Sequence, residues 1–227
     1  MTTTVRHDTR YEAAKRATDI AVAAAVLLAA APVSAVIAWQ IRREDHGPVI
    51  FRGVRVGRGG GTFDILKFRT MAVGADRLGV DATANDDPRL TSIGRVLRRW
   101  KLDELPQLVN VLRGEMSLVG PRPPMVWDAK RYTGDELALL DVPPGITDWA
   151  SIRYRNQGKL LQGRTDWHNA YEDLIRPGKL ELALAYVRYR NYAVDLGILG
   201  LTALALIRHP RTDELLQRMV ASAQARA

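Results

Sequence analysis

The 227 residues include no cysteine. That excludes disulfides, thiolate metal centres and a cysteine nucleophile, and it leaves the compartment undecided. Histidine is scarce too. The four present, His7, His46, His168 and His209, show no metal-ligand spacing and read as surface or loop residues. There is no internal repeat and no long low-complexity tract. The one glycine cluster, Gly57-Arg58-Gly59-Gly60-Gly61, lacks the Gly-Lys-Ser/Thr ending of a phosphate-binding P-loop, so it reads as a turn.

What is present argues for a folded protein. The chain is 47% hydrophobic and 26% charged, which excludes wholesale disorder, and its length suits one domain plus an anchoring segment. A net charge of +8 fits three kinds of partner: nucleic acid, an anionic membrane surface, or phosphorylated small molecules.

Residues 20–39 are almost entirely apolar, interrupted only by Ser34. A helix of that length reaches about 30 Å, the thickness of the hydrocarbon core of a bilayer. A signal peptide fits poorly, because Gln40-Ile41-Arg42-Arg43 follows in place of a small-residue cleavage site. Pro32 lies inside the run and favours a kink. Both flanks are basic: Arg6, Arg10, Lys15 and Arg16 before, then Arg42, Arg43, Arg52, Arg55 and Arg58 after. The positive-inside tendency holds both ends on one side, as a bent, re-entrant helix requires. An ordinary single span with a tolerated proline is the alternative.

Beyond the anchor, residues 49–56 and 62–68 read as two strands of a hairpin, and Asp86-Asp87-Pro88 as a loop. Ser92 is the expected N-cap of a helix with Ile93, Val96, Leu97 and Trp100 on its apolar face. A second helix is expected to start at Asp103-Glu104 and stop at Gly114. Helices are also expected over 126–140, 166–175 and 179–192. The apolar run 196–207 is too short to span, and suits the core or a membrane interface. Trp39 suits that interface, while Trp100, Trp127, Trp149 and Trp167 read as packing residues.

Four motifs occur in order: Lys67-Phe68-Arg69-Thr70-Met71, Leu102-Asp103-Glu104-Leu105-Pro106-Gln107, Ser117-Leu118-Val119-Gly120-Pro121-Arg122-Pro123 and Pro144-Gly145-Ile146-Thr147. With the anchor ahead of them, they resemble the bacterial sugar transferases known as monotopic polyprenyl-phosphate phosphoglycosyl transferases. The similarity runs over about residues 15–207. The resemblance implies an α+β, helix-rich, membrane-associated single domain with a short β-hairpin and an N-terminal re-entrant helix broken at Pro32. Its parts are a basic segment (1–18), the re-entrant helix (19–43), a catalytic domain with interfacial helices (44–210) and a C-terminal tail (211–227). The active site is expected on the cytoplasmic face of the bacterial inner membrane.

The implied reaction moves a sugar 1-phosphate from a nucleotide-sugar, a UDP-sugar in the first instance, to polyprenyl (undecaprenyl) phosphate and releases UMP. It is the first membrane step of exopolysaccharide, capsule, O-antigen or glycoprotein glycan assembly. The resemblance makes Asp103 the nucleophile of a covalent aspartyl-phosphosugar intermediate. It gives Glu104 a supporting task, as a ligand of Mg²⁺ with Asp103 or in proton handling. It ties Lys67, Arg98 and Arg122 to phosphate binding. Magnesium suits hard oxygen ligands and diphosphates. Arg69 is expected to bind substrate phosphate on a basic wall with Lys67, with a structural ion pair as its alternative.

The residues taken alone leave alternatives. Asp103 is also a natural helix N-cap, although Pro106 at its N3 position has no N–H to offer. Arg122, between two prolines, is also a solvated surface arginine. Some positions depart from the family pattern: Lys101 replaces a small polar residue, Asp148 stands where glycine is usual, Ser151-Ile152-Arg153-Tyr154 differs from the common run, and Ala183 occupies a region where an acid is often seen. The rival function is a catalytically silent membrane scaffold. A nucleic-acid partner is not expected, since the basic residues gather around the anchor and the motifs. The sequence leaves a homodimer open.

Overall fold

The computed structural model describes residues 8–75, 87–161 and 166–225, with the side chains of Lys159, Trp167 and His168 outside that description. Arg6, His7 and Asp86, assigned above to flank or loop, also lie outside it. The chain begins with one long helix, α1 (Thr9–Asp45), of 37 residues, about 55 Å at the α-helical rise. Asp8 caps it by accepting from the backbone N–H groups of Arg10 and Tyr11. His46, in the left-handed region at φ 56°, ends it by donating its N–H to the Arg42 carbonyl. The helix is longer at both ends than the expected 19–43, and it continues through Pro32 without interruption. Its middle is apolar and exposed: Leu28 is 78% accessible, and Val33 and Val36 are open as well.

Strands β1 (Ile50–Val56) and β2 (Thr62–Phe68) form the expected antiparallel hairpin, with Ile50 opposite Phe68 and Val56 opposite Thr62. Helix α2 (Ser92–Trp100) follows. Its N-cap is Thr91, one residue before the expected Ser92, and the Thr91 hydroxyl accepts from the Gly94 N–H at 3.0 Å. Lys101, at φ 58°, turns the chain into a 3-10 turn over Leu102–Glu104, and α3 (Gln107–Arg113) starts only after Pro106. Gly114 ends α3 as expected.

The next elements were not expected from periodicity. Strands β3 (Ser117–Val119) and β4 (Gly145–Thr147) pair in parallel, Ser117 opposite Gly145 and Val119 opposite Thr147. Backbones approach so closely there that a Cβ on Gly145 would lie 2.1 Å from the Gly120 nitrogen, so only glycine fits. Between these strands, the helix expected over 126–140 is two pieces: α4 (Val126–Ala129) and a 3-10 segment over Gly134–Leu140. Thr133 is extended, Gly134 has φ 54°, and the Thr133 N–H donates to the Glu136 side chain, which starts a new element.

Helices α5 (Trp149–Arg153), α6 (Gln157–Leu160), α7 (Trp167–Leu174), α8 (Arg176–Tyr189), α9 (Tyr192–Leu206) and α10 (Thr212–Ala225) complete the body. The last is no loose tail: Thr212 and Leu216 are buried, and the Trp149 indole N–H points at the Met219 sulfur, 3.2 Å away. The core gathers Val111, Met116, Trp149, Tyr186, Ile198 and Leu216, with Trp149 and Tyr186 edge to face at 6.2 Å. Trp39, Trp100 and Trp127 are exposed; Arg43 and Arg208 stack on the first two.

Both ends of α1 rest on this body. Near its start, Arg16 donates to the carbonyls of Val111 and Leu112 at the end of α3. Near its finish, Ile37 and Ile41 are buried with Phe68 and Leu97. The result is a helix-rich fold with two small sheets and one long apolar N-terminal helix.

Candidate active site

Asp103 and Glu104 occupy the 3-10 turn between α2 and α3. Because Pro106 has no N–H and the regular helix begins at Gln107, Asp103 is not a helix N-cap here. The residue is 7% exposed, and its Oδ1 is buried with no hydrogen-bond partner among the described residues. A buried carboxylate oxygen without a donor is costly, and natural folds keep few of them. Burial and the neighbouring Glu104 charge push the Asp103 carboxyl up from its ordinary value, against the pull of Lys67, Lys101 and Arg98.

Glu104 turns to different company. Its Oε1 accepts from Lys67 Nζ at 3.3 Å and from Arg122 Nη2 at 2.8 Å. Burial alone would raise its carboxyl, but the charges of Arg122 and Lys67 outweigh that and hold it well below the usual range. Lys67 reaches the site from β2, opposite Phe51. Desolvation and the Arg122 charge lower its ammonium to about 8, despite Glu104 and Asp103. Arg122 comes from the loop after β3 and keeps 42% of its side chain exposed. That loop is pinned by backbone bonds: Gly145 N–H donates to the Pro121 carbonyl at 2.8 Å and Gly120 N–H to the Thr147 carbonyl at 3.0 Å. Arg98, in the last turn of α2, is destabilised as a cation by desolvation and supported by Asp103, Asp87 and Glu104.

Thus four of the residues singled out in the sequence, Lys67, Asp103, Glu104 and Arg122, come together, with Arg98 beside them. Arg69 does not join Lys67 in a basic wall. β2 ends at Phe68, and the Arg69 guanidinium turns to Asp45, which it grips with both Nη atoms, while Nε donates to the Pro48 carbonyl at 2.6 Å. This is the structural ion pair of the two alternatives. The scaffold also depends on Asn110, whose amide links α3 to β2 by accepting from Leu66 N–H at 3.0 Å and donating to the Asp64 carbonyl at 2.8 Å. No sequence signal separated it from other polar residues of the helix.

A model of the family described as bacterial sugar transferase matches residues 10–209. The chain belongs to the bacterial sugar transferase family. It is 39% identical over 191 residues to the UDP-glucose:undecaprenyl-phosphate glucose-1-phosphate transferase of Escherichia coli, covering 83% of this chain and 39% of that protein. It is 40% identical over 197 residues to the undecaprenyl-phosphate glucose phosphotransferase of Komagataeibacter xylinus, covering 83% and 35%. It is 38% identical over 157 residues to the undecaprenyl-phosphate galactose phosphotransferase of Salmonella typhimurium, covering 63% and 33%. The chain therefore spans about two fifths or less of the length of these relatives.

Among the described residues of this family member, no three His, Asp or Glu side chains gather as a metal site. Magnesium does not need such a cage; it often binds one or two carboxylates together with substrate phosphates. The unpartnered Asp103 oxygen fits a site of that kind. Glu104 fits less fully, since its Oε1 already accepts from two cations.

Proposed function

We propose that this chain is a phosphoglycosyl transferase that moves a sugar 1-phosphate from a UDP-sugar to undecaprenyl phosphate and releases UMP. The observation that carries the reading is the pairing of a buried, unpartnered Asp103 oxygen with a neighbouring carboxylate clamped by Lys67 and Arg122. The names of the relatives supply the substrate classes.

The chemistry follows in two displacements. An oxygen of Asp103 attacks the phosphorus that carries the sugar, the bond to the bridging oxygen breaks, and UMP leaves with the electron pair. An oxygen of undecaprenyl phosphate then attacks the same phosphorus. The acyl-phosphate bond breaks, and the Asp103 carboxylate is restored. Lys67, Arg98 and Arg122 offset the charge on the diphosphate, and Glu104 holds two of them in place. Magnesium, when bound beside Asp103, supplies further positive charge to the phosphate oxygens.

The anchor reading joins this one. An exposed apolar stretch lies between two ends of α1 that both pack on the same body, which supports an anchor held at both ends; entry and exit by one leaflet needs in addition a bend at Pro32, where α1 remains helical. The active site then faces the cytoplasm, where nucleotide-sugars are available. The test is direct: incubate the protein in lipid with Mg²⁺, undecaprenyl phosphate and a panel of UDP-sugars, and measure UMP. Release with one or more donors is expected. No release with any donor favours the silent scaffold.

A further inference from the structure

Lys179 sits in the first turn of α8, a segment the four motifs do not reach. Its ammonium donates to the Gln157 side-chain oxygen of α6 and stands 5.2 Å from the centre of the Tyr171 ring of α7. An ammonium has three N–H donors, so a neutral amide and an aromatic face leave it under-used. No carboxylate among the described residues forms an ion pair with it. The two acids that act on it from nearby form no ion pair with it: Asp148 Oδ1 accepts from Ser151 N–H at 2.6 Å while its Oδ2 is buried without a hydrogen-bond partner, and Asp128 accepts from Arg176 at 3.0 Å.

Its position ties it to the active site. The Arg122 loop and Asp148 leave the same end of the β3–β4 ladder. Helix α5, which Asp148 caps, packs on α8. Tyr154, at the end of α5, presses on the start of α8 so closely that a Cβ on Gly178 would lie 2.1 Å from its hydroxyl oxygen. These contacts fix Lys179 where its charge meets those of Arg122 and Lys101. Burial first, and then the Arg122 charge, lower its ammonium to about 8, while Asp148 and Asp128 pull it the other way.

We infer that Lys179 is a further substrate-positioning residue, whose ammonium binds a phosphate oxygen alongside Arg122 when substrate enters. The ligand chemistry rests on the transferase reading. The phosphate belongs either to the nucleotide diphosphate or to the polyprenyl monophosphate.

The experiment uses the full chain in lipid nanodiscs, with Lys179→Met to remove the charge and Lys179→Arg to restore it. Binding of UDP is titrated without turnover, and KM is measured separately for UDP-glucose or another accepted donor and for undecaprenyl phosphate. In Lys179→Met, loss of one charged hydrogen bond raises one of these constants by about tenfold, and Lys179→Arg recovers most of it. A rise for UDP and the donor assigns the diphosphate; a rise for the lipid alone assigns the acceptor. Unchanged UDP affinity together with both KM values unchanged overturns the inference, whether or not the melting temperature falls. If the wild type releases no UMP from any donor, the transferase reading fails by itself, and titrations of UDP and of undecaprenyl phosphate still decide: equal binding of both, or none of either, by wild type and Lys179→Met overturns the role of Lys179.

Discussion

Two buried charged clusters among the described residues, one around Asp195 and one around Asp103, are built on opposite terms. Around Asp195 the account is closed. Oδ2 accepts from Lys15 Nζ and from the Tyr11 hydroxyl, each at 2.9 Å, and Oδ1 accepts from the Tyr186 hydroxyl at 2.8 Å. Around Asp103 it is open: one carboxylate oxygen has no donor, while cations crowd the neighbouring Glu104. Both clusters lie within a hydrophobic body, so burial is not what separates them. Completeness is. A satisfied buried network fixes a fold, whereas an unsatisfied one stores free energy that a ligand can release. The same test separates Arg69, fully engaged by Asp45 and Pro48, from Arg122, which pairs through one Nη and keeps much of its surface open.

Substitutions should treat the two clusters differently. Asp103→Asn should lower UMP release by at least about a thousandfold and abolish any trapped sugar-phosphate adduct, without lowering the melting temperature. Activity retained in Asp103→Asn would remove the nucleophile from the open cluster. Arg122→Met should cost about a hundredfold in kcat/KM, since it removes a charge from the phosphate and a partner from Glu104. Lys67 gives a pH signature. Its folded value of about 8 lies below the ordinary 10.5, so the unfolded chain binds more protons between these values. Its contribution to stability therefore rises from pH 8 to 10, while turnover, which needs the ammonium, falls by about tenfold per unit above pH 8. Parallel loss of both quantities would sink that assignment. Finally, Lys15→Met should destabilise the fold by about 3 kcal/mol in chemical unfolding, and leave kcat/KM of the folded fraction within about twofold. A large loss of turnover there would show that the closed cluster also serves the reaction.

Much of this architecture was legible in the residues. The apolar run marked α1, alternation marked the hairpin, and the spacing of Ile93, Leu97 and Trp100 marked α2. The motifs gave Lys67, Asp103, Glu104 and Arg122 before any geometry. What stayed hidden has physical causes. Strands of three residues, such as β3 and β4, are too short to carry a periodicity. The break at Thr133 depends on a local side-chain bond that competes with helix. Lys67 and Arg69 looked like one face because alternation was carried past Phe68, where the strand stops. Lys15 and Asp195 are separated by 180 positions, and nothing local announces their pairing. Lys179 lies at the start of the helix expected over 179–192, and nothing local separates it from an ordinary helical lysine.

The two ends of α1 have a mechanical consequence. A body hung from a membrane by one point swivels freely. This one is held at Arg16 on the carbonyls of α3, and again some thirty positions later, where Asp45 is gripped by Arg69 at the root of the hairpin that carries Lys67. On the re-entrant reading, fastening at two places stops the body from swivelling about its anchor, so its tilt and height over the bilayer are set by α1. The site that carries Lys67 then keeps one height above the leaflet in which a lipid-borne phosphate diffuses.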